Sequence, residues 1–423
     1  MATNSDLPRV VRRFLRYVQI DTKSDPESKA TPSTEIQKDL SRLLAEELRG
    51  LGLDDAVMDD FGYVYATLPS TLAPKEAQAT PTVALVAHVD TAPVEPGGPV
   101  EPVIHADYDG SVISLPGDPS VTLDPERSPA LLDHVGHDII SSDGTTLLGS
   151  DDKAGVAVIM QLVEDLLADP STPRPPVRVC FTVDEEIGRG VDKLDLDRLG
   201  ADVAYTIDGS ATGTLSFETF NAAEAVITIK GVNVHPGYAT DVMANAVTIL
   251  AGILTRLPPS EAPETTHDRE GYWCPIESSG TISEAKATMI IRDFSWDGLT
   301  RRKKLVEGLV EIARLEHPRA KIELEIKDQY KNMKSYIEEK DPRAVSFAFA
   351  AAEQMGIPME THLVRGGTDG SRMSELGLPT PNVFNGGHDY HSRFEWNTVQ
   401  NLELSLAYLK QLVSYWAEHG RDG

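Results

Sequence analysis

The chain is expected to be an α/β protein, a mixed, mostly parallel sheet with helices on both faces, interrupted by a smaller α+β unit. Three observations predict this. Residues 82–91, TVALVAHVDT, hold an apolar run without alternation, as a central parallel strand covered on both faces requires. From residue 145 onward, helical and strand patterns follow one another: AGVAVIMQLVEDLLA, then VRVCFTV, then DVAYTID. Near residue 219 the texture changes to the strands AAEAVITIKGVNV and KATMIIRDF, the helix RRKKLVEGLVEIARLE and the half-exposed, alternating strand KIELEIKDQY.

The remaining elements follow in order. LPRVVRRFLRYVQI has helical spacing, with Val10, Phe14, Tyr17 and Val18 on one face. STEIQKDLSRLLAEELRGLG is a second helix, for which Ser33 and Thr34 are the expected caps and Gly50 and Gly52 the stop. Residues 92–138, dense in Pro, Gly and Asp, read as a long irregular excursion with a hairpin, and excursions of that length are often functional. PRAVSFAFAAAEQMG and NLELSLAYLKQLVSYWAEHG return to helices of the larger domain. The expected division is therefore 1–218, an insertion over 219–329, and 330–423.

The 423 residues include 66 acidic and 39 basic side chains, a formal charge of −27. That balance argues against nucleic acid or an anionic membrane as partner, since both attract basic surfaces. Cys180 and Cys274 form neither a disulfide framework nor a zinc-site spacing, and Cys180 reads as a small buried apolar residue. The first residues lack a signal-peptide core, and ANAVTILAGIL, the longest apolar stretch, is too short to span a bilayer. A soluble cytoplasmic protein is the expectation.

Chemistry gathers at strand ends, where open α/β sheets bind ligands. VAHVDT supplies His88 and Asp90, LLGSDDKAG supplies Asp151 and Asp152, FTVDEEIGRG supplies Asp184, Glu185 and Glu186, and AYTIDGS supplies Asp208. GGHDYHSRFEW adds His388 and His391. Taken singly, Asp151 caps a helix, the acidic triplet is a solvated turn and each histidine is structural. Their coincidence is what those readings leave unexplained, because converging carboxylates repel and raise one another's pKa values. Two zinc ions, three carboxylates, two neutral imidazoles and a bridging hydroxide come close to neutrality. Mixed histidine and carboxylate donors with open positions suit a catalytic zinc or cobalt pair, with manganese as a further substitute. On an extended strand His88 and Asp90 face the same side, so Asp90 is placed to hold the far ring nitrogen of His88.

These residues carry a resemblance. FLRYVQIDTKS, PSTE, HVDT, TLLGSDDKAG, FTVDEEIGRG, YTIDG, NVHPG, IRDF, RGGTDG and YHSRFEW resemble, essentially end to end, the peptidase T family. Those are tripeptide aminopeptidases among the co-catalytic di-zinc metallopeptidases with an inserted lid domain. The resemblance implies that His88, Asp151 and Asp208 ligate metal, with Asp151 bridging both ions. It implies that Glu186 and His391 ligate the second metal and that Glu185 is the general base acting on the bridging water. Neighbouring residues of an extended chain face opposite ways, which would let Glu186 bind metal while Glu185 addresses the water. His235 matches the histidine that helps polarise the scissile carbonyl. Arg292 and Arg365 match positions that bind the peptide's carboxylate, for which a guanidinium fork is well shaped.

The chain departs from the family pattern beside the last ligand. Where many relatives read Gly-x-Asn-x-His-Gly, it has GGHDYHS, with Asp389 in place of a neutral amide and Ser392 in place of glycine. His134 and His137 of DHVGH form a rival metal pair, read here as surface residues. Asp152 and Lys153 are expected to cap and orient their helix. The implied function is a zinc-dependent aminopeptidase for short peptides, with a homodimer left open. The alternatives are another metal amidohydrolase on the same scaffold (acylase, dipeptidase, carboxypeptidase or desuccinylase) and a binding protein that has lost the chemistry.

Overall fold

All six residues of strand Val83–His88 are buried. Since successive side chains point to opposite faces, both faces are covered, and the apolar run needs no alternation. The computed structural model describes residues 7–421. Within them this strand lies in an eight-stranded sheet, ordered Val57–Met58, Val64–Leu68, Val177–Thr182, Val83–His88, Val203–Gly209, Asn382–Phe384, Thr214–Thr219, Glu360–Val364. Strands 177–182, 83–88, 203–209 and 382–384 run parallel. Antiparallel neighbours flank them on either side. The carboxyl ends of four adjacent strands therefore open at one edge, and that edge positions the site.

Helix Ser150–Ala168 packs on strands 83–88 and 203–209. Its first turn approaches the sheet so closely that Gly155 has no room for a side chain: a Cβ there would overlap the Ile207 carbonyl and the Asp152 carboxylate. Gly155→Ala is expected to destabilise the protein by about 1–3 kcal/mol, as overpacking does, read as a lower denaturant midpoint.

Helix Arg9–Val18 buries Val10, Val11, Phe14, Tyr17 and Val18, the expected face. Helix Gln37–Gly50 ends as expected, with Gly52 in the left-handed region (φ +98°) and Leu53 N–H donating to the Leu48 carbonyl. Its start differs from expectation. Ile36 occupies the N-cap position with no side-chain cap. Ser33 donates its amide and hydroxyl to the buried Asp184 carboxylate, and Thr34 Oγ1 donates to the Lys23 carbonyl at 2.6 Å. A long-range carboxylate has outcompeted the local cap. The 92–138 excursion contains the hairpin formed by Ile113–Ser114 and Thr122–Leu123.

The chain divides into two compact units, the smaller comprising Glu218–Lys334 and Leu363–Gly367. In the smaller unit a four-stranded antiparallel sheet runs Tyr272–Gly280, Glu284–Asp293, Asn221–Lys230, Lys321–Tyr330. Helices Ala246–Leu254 and Trp296–Glu316 pack on it, around a core that includes Ile227, Ile229, Met289, Ile291, Val306 and Val310. Buried and more exposed positions alternate along Glu284–Asp293, leaving one sheet face open. Among the described residues no helix is long and apolar enough to cross a membrane.

Candidate metal centre

Strand Val83–His88 delivers His88 to the sheet edge, where the ring is only 2% exposed. His88 Nδ1 lies 3.0 Å from the Asp90 carbonyl oxygen and 3.4 Å from Asp90 Oδ1. Both are acceptors, so the proton sits on Nδ1 and Nε2 is free to face the site. Asp90 thus holds the far ring nitrogen through its carbonyl as well as its carboxylate. The carboxylate also receives the amides of Glu185 (3.0 Å) and Glu186 (3.2 Å), tying the ends of two parallel strands together.

Asp151 sits in the opening turn of helix Ser150–Ala168 with non-helical dihedrals (φ −84°, ψ 104°). Its Oδ1 lies 3.0 Å from His88 Nε2, and its Oδ2 lies 3.1 Å from His391 Nε2. His391 Nε2 also lies 2.8 Å from Glu186 Oε2, and Asp208 Oδ1 lies 3.7 Å from His88 Nε2. The five expected metal ligands therefore meet in one cluster. Ligand atoms of His88, Asp151 and Glu186, and separately those of His88, Asp152 and Asp208, lie within 4.8 Å of one another. Asp152 is committed elsewhere: Oδ1 accepts from Asn385 Nδ2 and from Gly155 N–H, which caps the helix. Lys153, fully buried, donates to the Ile20 carbonyl.

The acidic doublet lies on a 3-10 turn, Glu185–Ile187, rather than on extended chain. It is opened by Asp184 in the left-handed region (φ +59°). Asp184 is held by Ser33 and by Gln37 Nε2 (2.8 Å). The two side chains still separate, for the turn and not the pleat sets them apart. Glu186 meets His391, while Glu185 is half-buried with the charge of Asp208 nearby.

The electrostatics are those of crowded anions. Burial, then the charge of Asp151, pushes Glu186 up to about 8 and Asp208 up to about 6. Glu185 is raised well above the usual carboxylate range by burial and by Asp208. Asp151 is the exception: burial would raise it, but hydrogen bonds from His391 and His88 hold it low. Glu186 Oε1 is buried without a hydrogen-bond partner. An orphaned carboxylate oxygen among mixed imidazole and carboxylate donors fits a divalent cation.

The GGHDYHS loop separates its two histidines. Asp389 and His391 both adopt left-handed dihedrals (φ +54° and +58°), and His391 turns toward Asp151. His388 stacks on Trp396 at 4.1 Å between ring centroids. The unusual Asp389 carboxylate accepts from Trp396 Nε1 at 3.0 Å, so an indole N–H answers the extra charge. His134 corrects the surface reading: it is 8% exposed and packs edge-on against His388 and Trp396, with Nδ1 3.1 Å from His137 Nδ1.

The other three expected residues lie in the smaller unit. His235 is exposed, and its Nδ1 accepts from Gly237 N–H at 3.1 Å. Tyr272, Arg292, Ala222 and Tyr330 form one cross-strand row. The Arg292 guanidinium lies 5.5 Å from the centre of the Tyr330 ring. Arg365 stands over Phe220 and Tyr272 and donates to the Asp268 carbonyl (2.9 Å) and Thr266 Oγ1 (2.8 Å). Both arginines thus border Tyr272, and among the described residues neither pairs with a carboxylate.

Two buried acids escaped the sequence reading. Asp369 of RGGTDG accepts from Thr182 Oγ1 at 2.8 Å, and burial pushes its pKa up to about 7. Glu395 of RFEW binds the amides of the Asp151 turn. An acid wedged between Phe394 and Trp396 was the available signal.

Residues 147–415 match the peptidase family M20/M25/M40. Over 409 residues the chain is 43% identical to peptidase T of Desulfitobacterium hafniense (strain Y51), covering 97% of this chain and 98% of that protein. It is 42% identical to peptidase T of Geobacillus thermodenitrificans (strain NG80-2) with the same coverage. Among solved structures it is similar to the aminopeptidase PepT from Bacillus cereus, with a TM-score of 0.75 at 22% identity, covering 98% and 99% of the two chains. A dinuclear metal binding peptidase of the M20 family from Bacillus subtilis follows at a TM-score of 0.64 and 14% identity, covering 97% and 98%. At these identities the structural likeness speaks for the fold.

Proposed function

Since this chain belongs to the peptidase family M20/M25/M40, in its peptidase T branch, we propose that it is a zinc-dependent aminopeptidase. It removes the N-terminal residue from short peptides, tripeptides above all, in the cytoplasm. The observation that carries this reading is Asp151, whose two carboxylate oxygens face different histidines, His88 at 3.0 Å and His391 at 3.1 Å. That placement suits a carboxylate shared by two cations. His88 and Asp208 would complete one site, and Glu186 and His391 the other, with two zinc ions per subunit. When bound, zinc supplies Lewis acidity, making water a nucleophile at neutral pH and polarising the scissile carbonyl.

The chain's own groups perform the proton transfers. Glu185, the member of the doublet not engaged by His391, takes a proton from the attacking water and returns it to the leaving amine. Asp90 orients both partners, through the Glu185 amide and the His88 ring. His235 accepts at Nδ1, which places its proton on Nε2 when neutral, so the ring offers a donor to the carbonyl oxygen.

A catalytic centre alone does not count residues, and something must recognise where the peptide ends. Arg292 and Arg365, both beside Tyr272 and without a carboxylate partner among the described residues, are the groups for the substrate's C-terminal carboxylate. Charge-assisted hydrogen bonds of this kind are worth roughly 1.5–3 kcal/mol, about 10- to 150-fold in binding. Amidating a tripeptide's C-terminus is therefore expected to cost at least about tenfold in kcat/KM. Arg365→Ala should penalise the free acid far more than the amide, so the two losses should not add. Kinetics on the four enzyme and substrate combinations test this, and equal losses in the mutant would remove Arg365 from carboxylate recognition. The same assay run with dipeptides and N-acyl amino acids separates a tripeptidase from a dipeptidase or acylase.

A further inference from the structure

We infer that Glu395 is a positioning residue that holds the shared carboxylate, Asp151, in register with the loop carrying His391. Its side chain is buried, the residue being 1% exposed. Oε2 accepts from Leu148 N–H at 2.9 Å and Gly149 N–H at 2.8 Å, and Oε1 accepts from Asp151 N–H at 2.9 Å. One carboxylate thus saturates the turn preceding helix Ser150–Ala168, including the backbone amide of Asp151 itself.

That turn needs an external holder. Gly149 is left-handed (φ +79°), and Asp151 and Asp152 depart from helical dihedrals. The amides of 148, 149 and 151 therefore point away from any helical acceptor. Glu395 is itself pinned, because the next residues, Trp396–Thr398, pair antiparallel with Ile139–Ser141. His391 lies on the same short segment, so one side chain sets the Asp151 turn against a second ligand. Because Asp151 faces both His88 and His391, displacement of its turn would loosen both ends of the cluster together.

The competing role is a plain helix cap, which would contribute stability and nothing else. Glu395→Gln distinguishes the two. The amide keeps the size but offers one accepting oxygen, and its NH2 opposes a backbone N–H where a carboxylate oxygen stood. In metal-stripped full-length protein titrated with Co2+ against a chromogenic chelator, we expect about 10- to 100-fold weaker binding than in the wild type. The visible spectrum of the bound Co2+ should change, and excess metal should restore part of the turnover. Unchanged Co2+ affinity and spectrum alongside a lowered Tm would overturn the inference in favour of the cap. Should Glu395→Gln not fold, Glu395→Asp, which keeps the charge but falls short by one methylene, is read by the same criteria. The inference rests on Asp151 being the shared ligand, and the parallel wild-type titration separates the two ideas. A wild-type chain that binds no Co2+ defeats both, whereas wild-type binding with an unaltered variant defeats only the role of Glu395.

Discussion

Glu185→Gln is expected to bind its full complement of metal and to lose nearly all turnover. The two glutamates of the 3-10 turn have different surroundings. Glu186 reaches His391 at 2.8 Å and keeps one oxygen unpartnered, as a ligand would. Glu185 has the charge of Asp208 nearby and its amide anchored on Asp90. Its raised pKa, from burial first and then Asp208, marks a group that holds a proton more readily than an ordinary carboxylate. Glutamine preserves the shape but cannot accept a proton at neutral pH, so only proton transfer should suffer. General-base loss costs about 10²- to 10⁴-fold, and kcat should fall by that order with the metal content of the purified protein unchanged. If instead metal falls as much as in a parallel Glu186→Ala variant, or substantial activity remains, the two glutamates have exchanged roles.

Asp151→Ala should be the most damaging ligand substitution. Each other candidate touches one side of the cluster, whereas the two oxygens of Asp151 are divided between His88 and His391. Removing them deprives both sides at once and leaves two half-buried acids, Glu186 and Asp208, and two imidazoles without the group that spaced them. Metal analysis should give well under two equivalents, and added zinc should not rescue turnover. The helix start should survive, because the capping contact belongs to Asp152 and Gly155. Retention of two equivalents would place the shared ligand elsewhere and reduce Asp151 to a residue of the turn.

Much of this was legible because the informative features are periodic or adjacent. An unalternating strand ending in His-x-Asp is visible in a few residues, and its burial on both faces follows. Three candidate ligands, His88, Glu186 and Asp208, stand at or just past parallel strand ends, and the topology gathers those ends without any contact having to be foreseen. What escaped depends on long-range partners. Ser33 has the spacing of a cap, yet Asp184, distant in sequence, claims its hydroxyl. His134 has the look of a loop residue until Trp396 and His388 cover it. Strand Asn382–Phe384 is three residues long, too short for a pattern, although it occupies a central place in the sheet. Glu395 shows in the sequence only as an acid between two aromatic residues, because the backbone amides it binds leave no trace in side-chain identity.

The placement of that short strand has a consequence for biosynthesis. Asn382–Phe384 lies between Val203–Gly209 and Thr214–Thr219, although it is made 163 residues after the end of the latter (382 − 219) and 173 after the end of the former (382 − 209). While the ribosome is still translating that interval, the sheet lacks an interior strand, and until residue 364 also its edge strand Glu360–Val364. The stretch Glu218–Lys334, by contrast, has its four sheet strands in one continuous piece of nascent chain. His391 and Glu395 emerge after the gap can be filled. The larger unit therefore cannot complete the candidate ligand cluster from its N-terminal half. A chain that stops between residues 208 and 391 carries His88, Asp151, Glu186 and Asp208 but lacks His391, the imidazole that faces the second oxygen of Asp151.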